Sequence, residues 1–161
     1  MMSISTLVCL SRVTNDEAAH DEAIERFDYD WAWLQVDDCV EFETLGVGVK
    51  GGGDILPATC DYLPTTDRAL AKLRHEGYRV EGRMRVLLEA ISRVKGRFGD
   101  KVCVTGRTAA PFSSVPLAFG MNDTMMLLYD RPEFVHEAVR FFEDYQLRFG
   151  LAQLPAGADA L

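Results

Sequence analysis

The stretch from Val102 to Gly120, VCVTGRTAAPFSSVPLAFG, limits the fold more than any other part of the chain. It opens on a short apolar run, Val102-Cys103-Val104, which reads as a buried strand. Gly106 breaks the run, and Arg107 and Thr108 follow at the strand's carboxyl end. Pro111 restarts the chain into a short helix, and Gly120 stops it. A strand, a polar loop at its carboxyl end and a helix form the repeating unit of α/β proteins, whose functional groups gather at that end.

The remaining composition fits a chain of that class. With 161 residues there is room for one domain, taken as 1–161 with a poorly patterned segment over 1–14. Hydrophobic residues make up 48% and charged residues 26%, the balance of a chain that buries a core. The net charge of -8 argues against nucleic acid and against anionic membranes as partners. A few arginines inside a cleft can still attract a small anion, because local field outweighs distant surface charge. No apolar run reaches the length of a membrane span, and Leu7-Val8-Cys9-Leu10 is too short for the core of a signal peptide, so a cytoplasmic location is expected. Cys9, Cys39, Cys60 and Cys103 are scattered, without C-x-x-C spacing and far from His20, His75 and His136. They read as reduced, mostly buried thiols, and no metal site is expected in this chain.

Taken in order, Asn15 can cap a helix running to about Phe27, with Ala19, Ala23, Ile24 and Phe27 on one side. Trp31 to Val36 is nearly continuous apolar, as in a parallel strand covered on both faces. Asp37 and Asp38 stand just beyond it. They read either as carboxylates at the functional end of a barrel strand or as part of a local cap. In the second reading Asp38-Cys39-Val40-Glu41 is a capping box for a short helix ending near Leu45. Gly46-Val47-Gly48-Val49-Lys50-Gly51 spells G-x-G-x-x-G, but it follows a helical segment and opens none. A hairpin-like excursion is the better reading, followed by a loop over Pro57 to Pro64.

Two helices are then expected, one from Thr65 or Thr66 to Gly77 and one from Gly82 to Phe98. In the second, Met84, Leu87, Leu88, Ile91, Val94 and Phe98 share a face, while most of the basic residues Arg83, Arg85, Arg93, Lys95 and Arg97 read as a solvated one. After Gly120, Asn122 or Asp123 caps a short helix through Leu128. Asp130-Arg131-Pro132-Glu133 reads as the start of a long helix with Asp130 as its cap and aromatic residues on its core face. Ala158 to Leu161 reads as the first residues of another strand. The order of elements is that of an α/β fold comprising about half of a (β/α)8 TIM barrel, which needs roughly 250 residues when whole.

Several stretches resemble the uroporphyrinogen decarboxylase superfamily, which also includes corrinoid-dependent methyltransferases. They are Asp37 to Gly46 (DDCVEFETLG), Gly82-Arg83 with Glu89-Ala90-Ile91, Gly106 to Gly120 with Ala110-Pro111-Phe112-Ser113, Asp130 to Val135, and Ala156 to Ala160. The resemblance implies a TIM barrel acting on a tetrapyrrole, by decarboxylation of uroporphyrinogen acetate groups. It implies a catalytic role for Asp37, nine residues before Gly46, where a carboxylate would accept pyrrole N–H bonds and stabilise a protonated ring. No cofactor is implied for that reaction. Asp38 is read with Asp37 at the same strand end, and Arg107 is read from the residues themselves as a guanidinium able to bind a substrate carboxylate.

Other features depart from the decarboxylases, and the length of one segment, Pro111 to Gly120, resembles the methyltransferase branch. Ser113 to Phe119 lacks the tyrosine that decarboxylases of the family carry there, and no arginine-rich motif stands in Met1 to Asn15. The Pro111 to Gly120 segment is also shorter than in typical decarboxylases. That branch moves a methyl group between a corrinoid and a thiol on zinc, with zinc ligands lying beyond Leu161. A third expectation is a non-catalytic half-barrel that associates with itself through open barrel edges.

Overall fold

The computed structural model describes residues 18–34, 37–52 and 55–161. The cap expected at Asn15 and the strand residues Gln35 and Val36 lie outside the described residues. Helix α1 covers Ala18–Phe27 and strand β1 covers Trp31–Trp33. A 3-10 turn, Glu43–Leu45, leads to β2 (Val49–Gly52) and β3 (Ile55–Thr59), which pair antiparallel. The G-x-G-x-x-G run thus lies in a hairpin, whose second strand takes in Pro57 to Thr59 that had read as loop. Gly51 is required there, because a Cβ would meet the Pro57 Cα at 2.6 Å. Then follow α2 (Asp67–Glu76), α3 (Arg83–Phe98), β4 (Cys103–Thr105), α4 (Pro111–Phe119), α5 (Met121–Asp130) and α6 (Pro132–Gln153).

β1 and β4 pair in parallel, with Trp31 opposite Cys103, Ala32 opposite Val104 and Trp33 opposite Thr105. The chain's last residues join the far side of β4 through a parallel bridge between Thr105 and Ala160. Asp159 N donates to Val104 O at 2.7 Å, and Gly106 N donates to Ala160 O at 2.9 Å. β4 is therefore the middle strand of a parallel array. Because strand side chains alternate, Ala32, Leu34 and Val104 fall on the covered face and are buried. Trp31, Trp33 and Cys103 are exposed on the other. Among the described residues the array does not close into a barrel.

The covered side is filled by helices. Met84, Leu87, Ile91 and Val94 recur at helical spacing along α3, and all are buried with Val104 in one core. α4, α5 and α6 pack with one another, and Phe119 meets Phe134 edge-on at 5.3 Å. Phe42, Phe119, Phe134, Phe142 and Phe149 are fully buried, and each such ring contributes about 1.5–3 kcal/mol. No helix among the described residues is long and apolar enough to cross a membrane.

Candidate functional site

The carboxyl ends of β1 and β4 lie side by side, so the residues just past them meet. Asp37 and Asp38 follow β1, and Arg107 follows β4. Arg107 Nη1 donates to the Asp37 backbone oxygen at 2.5 Å and pairs with Asp38 Oδ1 at 3.2 Å. The three sequence-derived site residues are thus brought together. Arg107 is only 12% exposed, whereas the Asp38 side chain is 64% exposed and stands at the mouth. The Arg107 peptide is held on both sides by Gln153 of α6. Arg107 N donates to Gln153 Oε1 at 2.9 Å, and Gln153 Nε2 donates to Arg107 O at 2.8 Å.

The Asp37 carboxylate turns inward, with its side chain only 2% exposed. Its Oδ1 accepts from Cys39 N at 2.7 Å, so the local cap is formed by Asp37. The capping box expected of Asp38 and Glu41 does not form: the 3-10 turn has no side-chain cap. The other Asp37 oxygen pairs with Arg83 Nη1. Arg83 grips Glu43 at the same time, through Nε to Oε2 at 2.8 Å and Nη2 to Oε1 at 2.6 Å. Burial works against the charged guanidinium, but bonds to Glu43 and Asp37 outweigh it and hold its pKa above the ordinary value.

This corrects the reading of Arg83 as part of a solvated helix face. A signal was present: Arg83 opens α3, where the helix dipole disfavours a cation, so a strong partner had to lie outside the helix. The cysteine reading needs a similar correction. Cys39 is buried, but Cys60 and Cys103 are exposed. Burial, followed by the charge of Asp37, pushes the Cys39 thiol up to about 12.

Glu41 was legible only as a capping residue, and its role differs. Its side chain is buried beneath the Arg107 loop, and Oε1 accepts from Ala109 N at 3.1 Å. Among the described residues its Oε2 has no hydrogen-bond partner. Burial raises the Glu41 pKa, with Arg107 pulling the other way. Tyr145 of α6 closes the layer below by donating to Glu41 O at 2.9 Å, and its hydroxyl lies 2.7 Å from Thr44 Oγ1. Nothing in the local sequence links Glu41 to residues 68 or 104 positions away.

A cleft of about 390 Å³ opens past Arg107, lined by Thr108 to Pro111, Gln146 and Leu161. Among the described residues, no group of three or more His, Cys, Asp or Glu side chains could hold a metal ion.

Parallel strands with their charged groups collected at the carboxyl ends define an α/β protein with the site layout of that class. The chain belongs to the uroporphyrinogen decarboxylase (URO-D) family, whose model matches residues 17–161. It is 28% identical over 130 residues to the methylcobamide:CoM methyltransferase MtbA of Methanosarcina acetivorans, covering 78% of this chain and 37% of that protein. Its fold matches that of a methyltransferase from Methanosarcina mazei with a TM-score of 0.76, at 16% identity, over 99% of this chain and 50% of the other. The chain therefore spans half or less of the length of these relatives.

Proposed function

We propose that the chain forms about half of a (β/α)8 barrel of the methyltransferase type, with a corrinoid bound at the carboxyl ends of its strands. The observation that carries this reading is the engagement of Asp37. Decarboxylation would ask this carboxylate to stabilise a protonated pyrrole. Here one oxygen already faces the Arg83 guanidinium and the other accepts from Cys39 N, so a second cation would meet a carboxylate with both oxygens engaged. The likeness to MtbA points the same way.

The residues at the mouth suit the periphery of a corrinoid, which carries carboxamides and a phosphodiester. Asp38 offers an exposed acceptor and Arg107 a donor fork beside it. When bound, a methylated corrinoid supplies the methyl group. Arg107 and Asp38 would orient the macrocycle's edge, while Arg83 holds Asp37 in the loop that carries Asp38 and whose Asp37 carbonyl receives Arg107. Zinc does not fit the described residues of this chain, and no step through it is assigned to them.

Calorimetric titration of the purified chain with methylcobalamin tests the proposal. Saturable binding is expected, weakened about tenfold in Arg107→Ala, the loss of roughly one charged hydrogen bond. Circular dichroism of that variant should remain unchanged. Absence of methylcobalamin binding would overturn the proposal.

A second reading, decarboxylation of uroporphyrinogen in porphyrin biosynthesis, is favoured by the position of Asp37 nine residues before Gly46 at the end of β1. Saturable binding of uroporphyrin without methylcobalamin binding would support it.

A further inference from the structure

Arg107 stands between two carboxylates at different depths. Asp38, 64% exposed, pairs with its Nη1 at 3.2 Å from the mouth. Glu41, 1% exposed, lies beneath the same loop, and its Oε1 accepts from Ala109 N at 3.1 Å. The charged groups that face Glu41 are Arg107, after β4, and Asp38, after β1. The Tyr145 phenol of α6 stands behind it, on its backbone oxygen. Of these side chains, Arg107 is the one that favours a negative charge on Glu41. That charge is costly, because burial disfavours it and Oε2 has no hydrogen-bond partner among the described residues. A side chain that served only the Ala109 N–H could be an amide, which accepts the same bond without a charge. What the carboxylate adds is a field on Arg107 that changes with protonation.

We propose that Glu41 is a positioning residue whose charge decides how much of Arg107 is left for a bound anion. Ionised, it holds the field of the guanidinium inward. Neutral, it leaves that field to the mouth, where the solvated Asp38 is easily displaced. The anion is the phosphodiester of a corrinoid, so the inference rests on the functional reading above. Coupling between two binding events is reciprocal. If loss of the Glu41 charge strengthens anion binding, the anion in turn draws a proton from solvent onto the Glu41 carboxylate. Binding therefore takes up protons, and affinity falls as pH rises.

Calorimetric titration with methylcobalamin, in two buffers of different ionisation enthalpy, reads both effects. The phosphodiester keeps its charge across the range used. Wild-type affinity should fall about fivefold between about pH 5 and about pH 8, the low end of such couplings, with net proton uptake. Glu41→Gln, folded by circular dichroism, should keep the tighter affinity throughout and take up no proton. A merely structural Glu41 would give a pH-independent wild-type affinity, and that result would overturn the inference, as would proton uptake that survives in Glu41→Gln. A second measurement needs no ligand. The Glu41 carboxyl resonance of the isotope-labelled chain, identified by its loss in Glu41→Gln, should titrate at higher pH in Arg107→Gln than in the wild type. An unmoved titration overturns the inference whatever the chain binds. A moved titration with no methylcobalamin binding at any pH defeats the functional reading and leaves the hold of Glu41 on Arg107 established.

Discussion

Arg83 ties the site together at the level of single residues. It pairs with the inward carboxylate of Asp37 and holds Glu43 with two bonds. Arg83→Met keeps the length of the stem and removes the charge, leaving Asp37 buried without this partner. The expected cost is about 3 kcal/mol, read as a lower urea midpoint. Glu41 makes stability depend on pH. Its pKa is raised in the folded state by burial, despite Arg107. Folding is therefore helped by Glu41 below its unfolded pKa and progressively opposed as pH rises through the folded one. Glu41→Gln keeps an acceptor for Ala109 N and cannot ionise. It should gain stability relative to the wild type as pH rises from about 4.3, measured by urea unfolding across pH. An unchanged difference across pH would show that Glu41 ionises freely. Cys39, with its thiol pushed up to about 12, should resist alkylation in the native chain at about pH 8, while exposed Cys60 reacts. Peptide mapping after labelling distinguishes them.

Among the elements, the loop after β4 depends on a glycine for space. A Cβ at Gly106 would lie 2.3 Å from Gln153 Oε1, the atom that accepts the Arg107 N–H. Gly106→Ala should displace Gln153, cost about 1–3 kcal/mol and weaken ligand binding through Arg107, whereas Gly96→Ala on α3 meets nothing and should be neutral or slightly stabilising. Thermal unfolding of the two variants checks the contrast. The elements built on periodicity were readable from sequence: β4, α3 and the long α6 stand where their apolar spacing put them. What was not readable are contacts between elements. Asp130 looks like a helix cap by its neighbours, yet it ends α5, which runs on past Leu128, and Arg131 takes the capping position without a side-chain bond. Asp38 and Glu41 spell a capping box, but a carboxylate one residue earlier makes the cap and Glu41 is drawn to Ala109. Arg83, Glu41 and Gln153 act on partners 40 to 104 residues away, and local propensity carries no record of such pairs.

The whole molecule carries a net charge of -8, yet the carboxyl ends of its parallel strands gather two arginines, Arg83 and Arg107. The central claim concerns what the carboxyl ends of the strands hold. On the proposed function, Asp37 paired with Arg83, and Asp38 beside Arg107, suit the edge of a corrinoid better than a cationic pyrrole. The most direct measurement is equilibrium dialysis of the chain against an equimolar mixture of methylcobalamin and uroporphyrin, with the retained ligand identified by its absorption spectrum. The account predicts selective retention of methylcobalamin. Selective retention of uroporphyrin would contradict it and return Asp37 to the decarboxylase role.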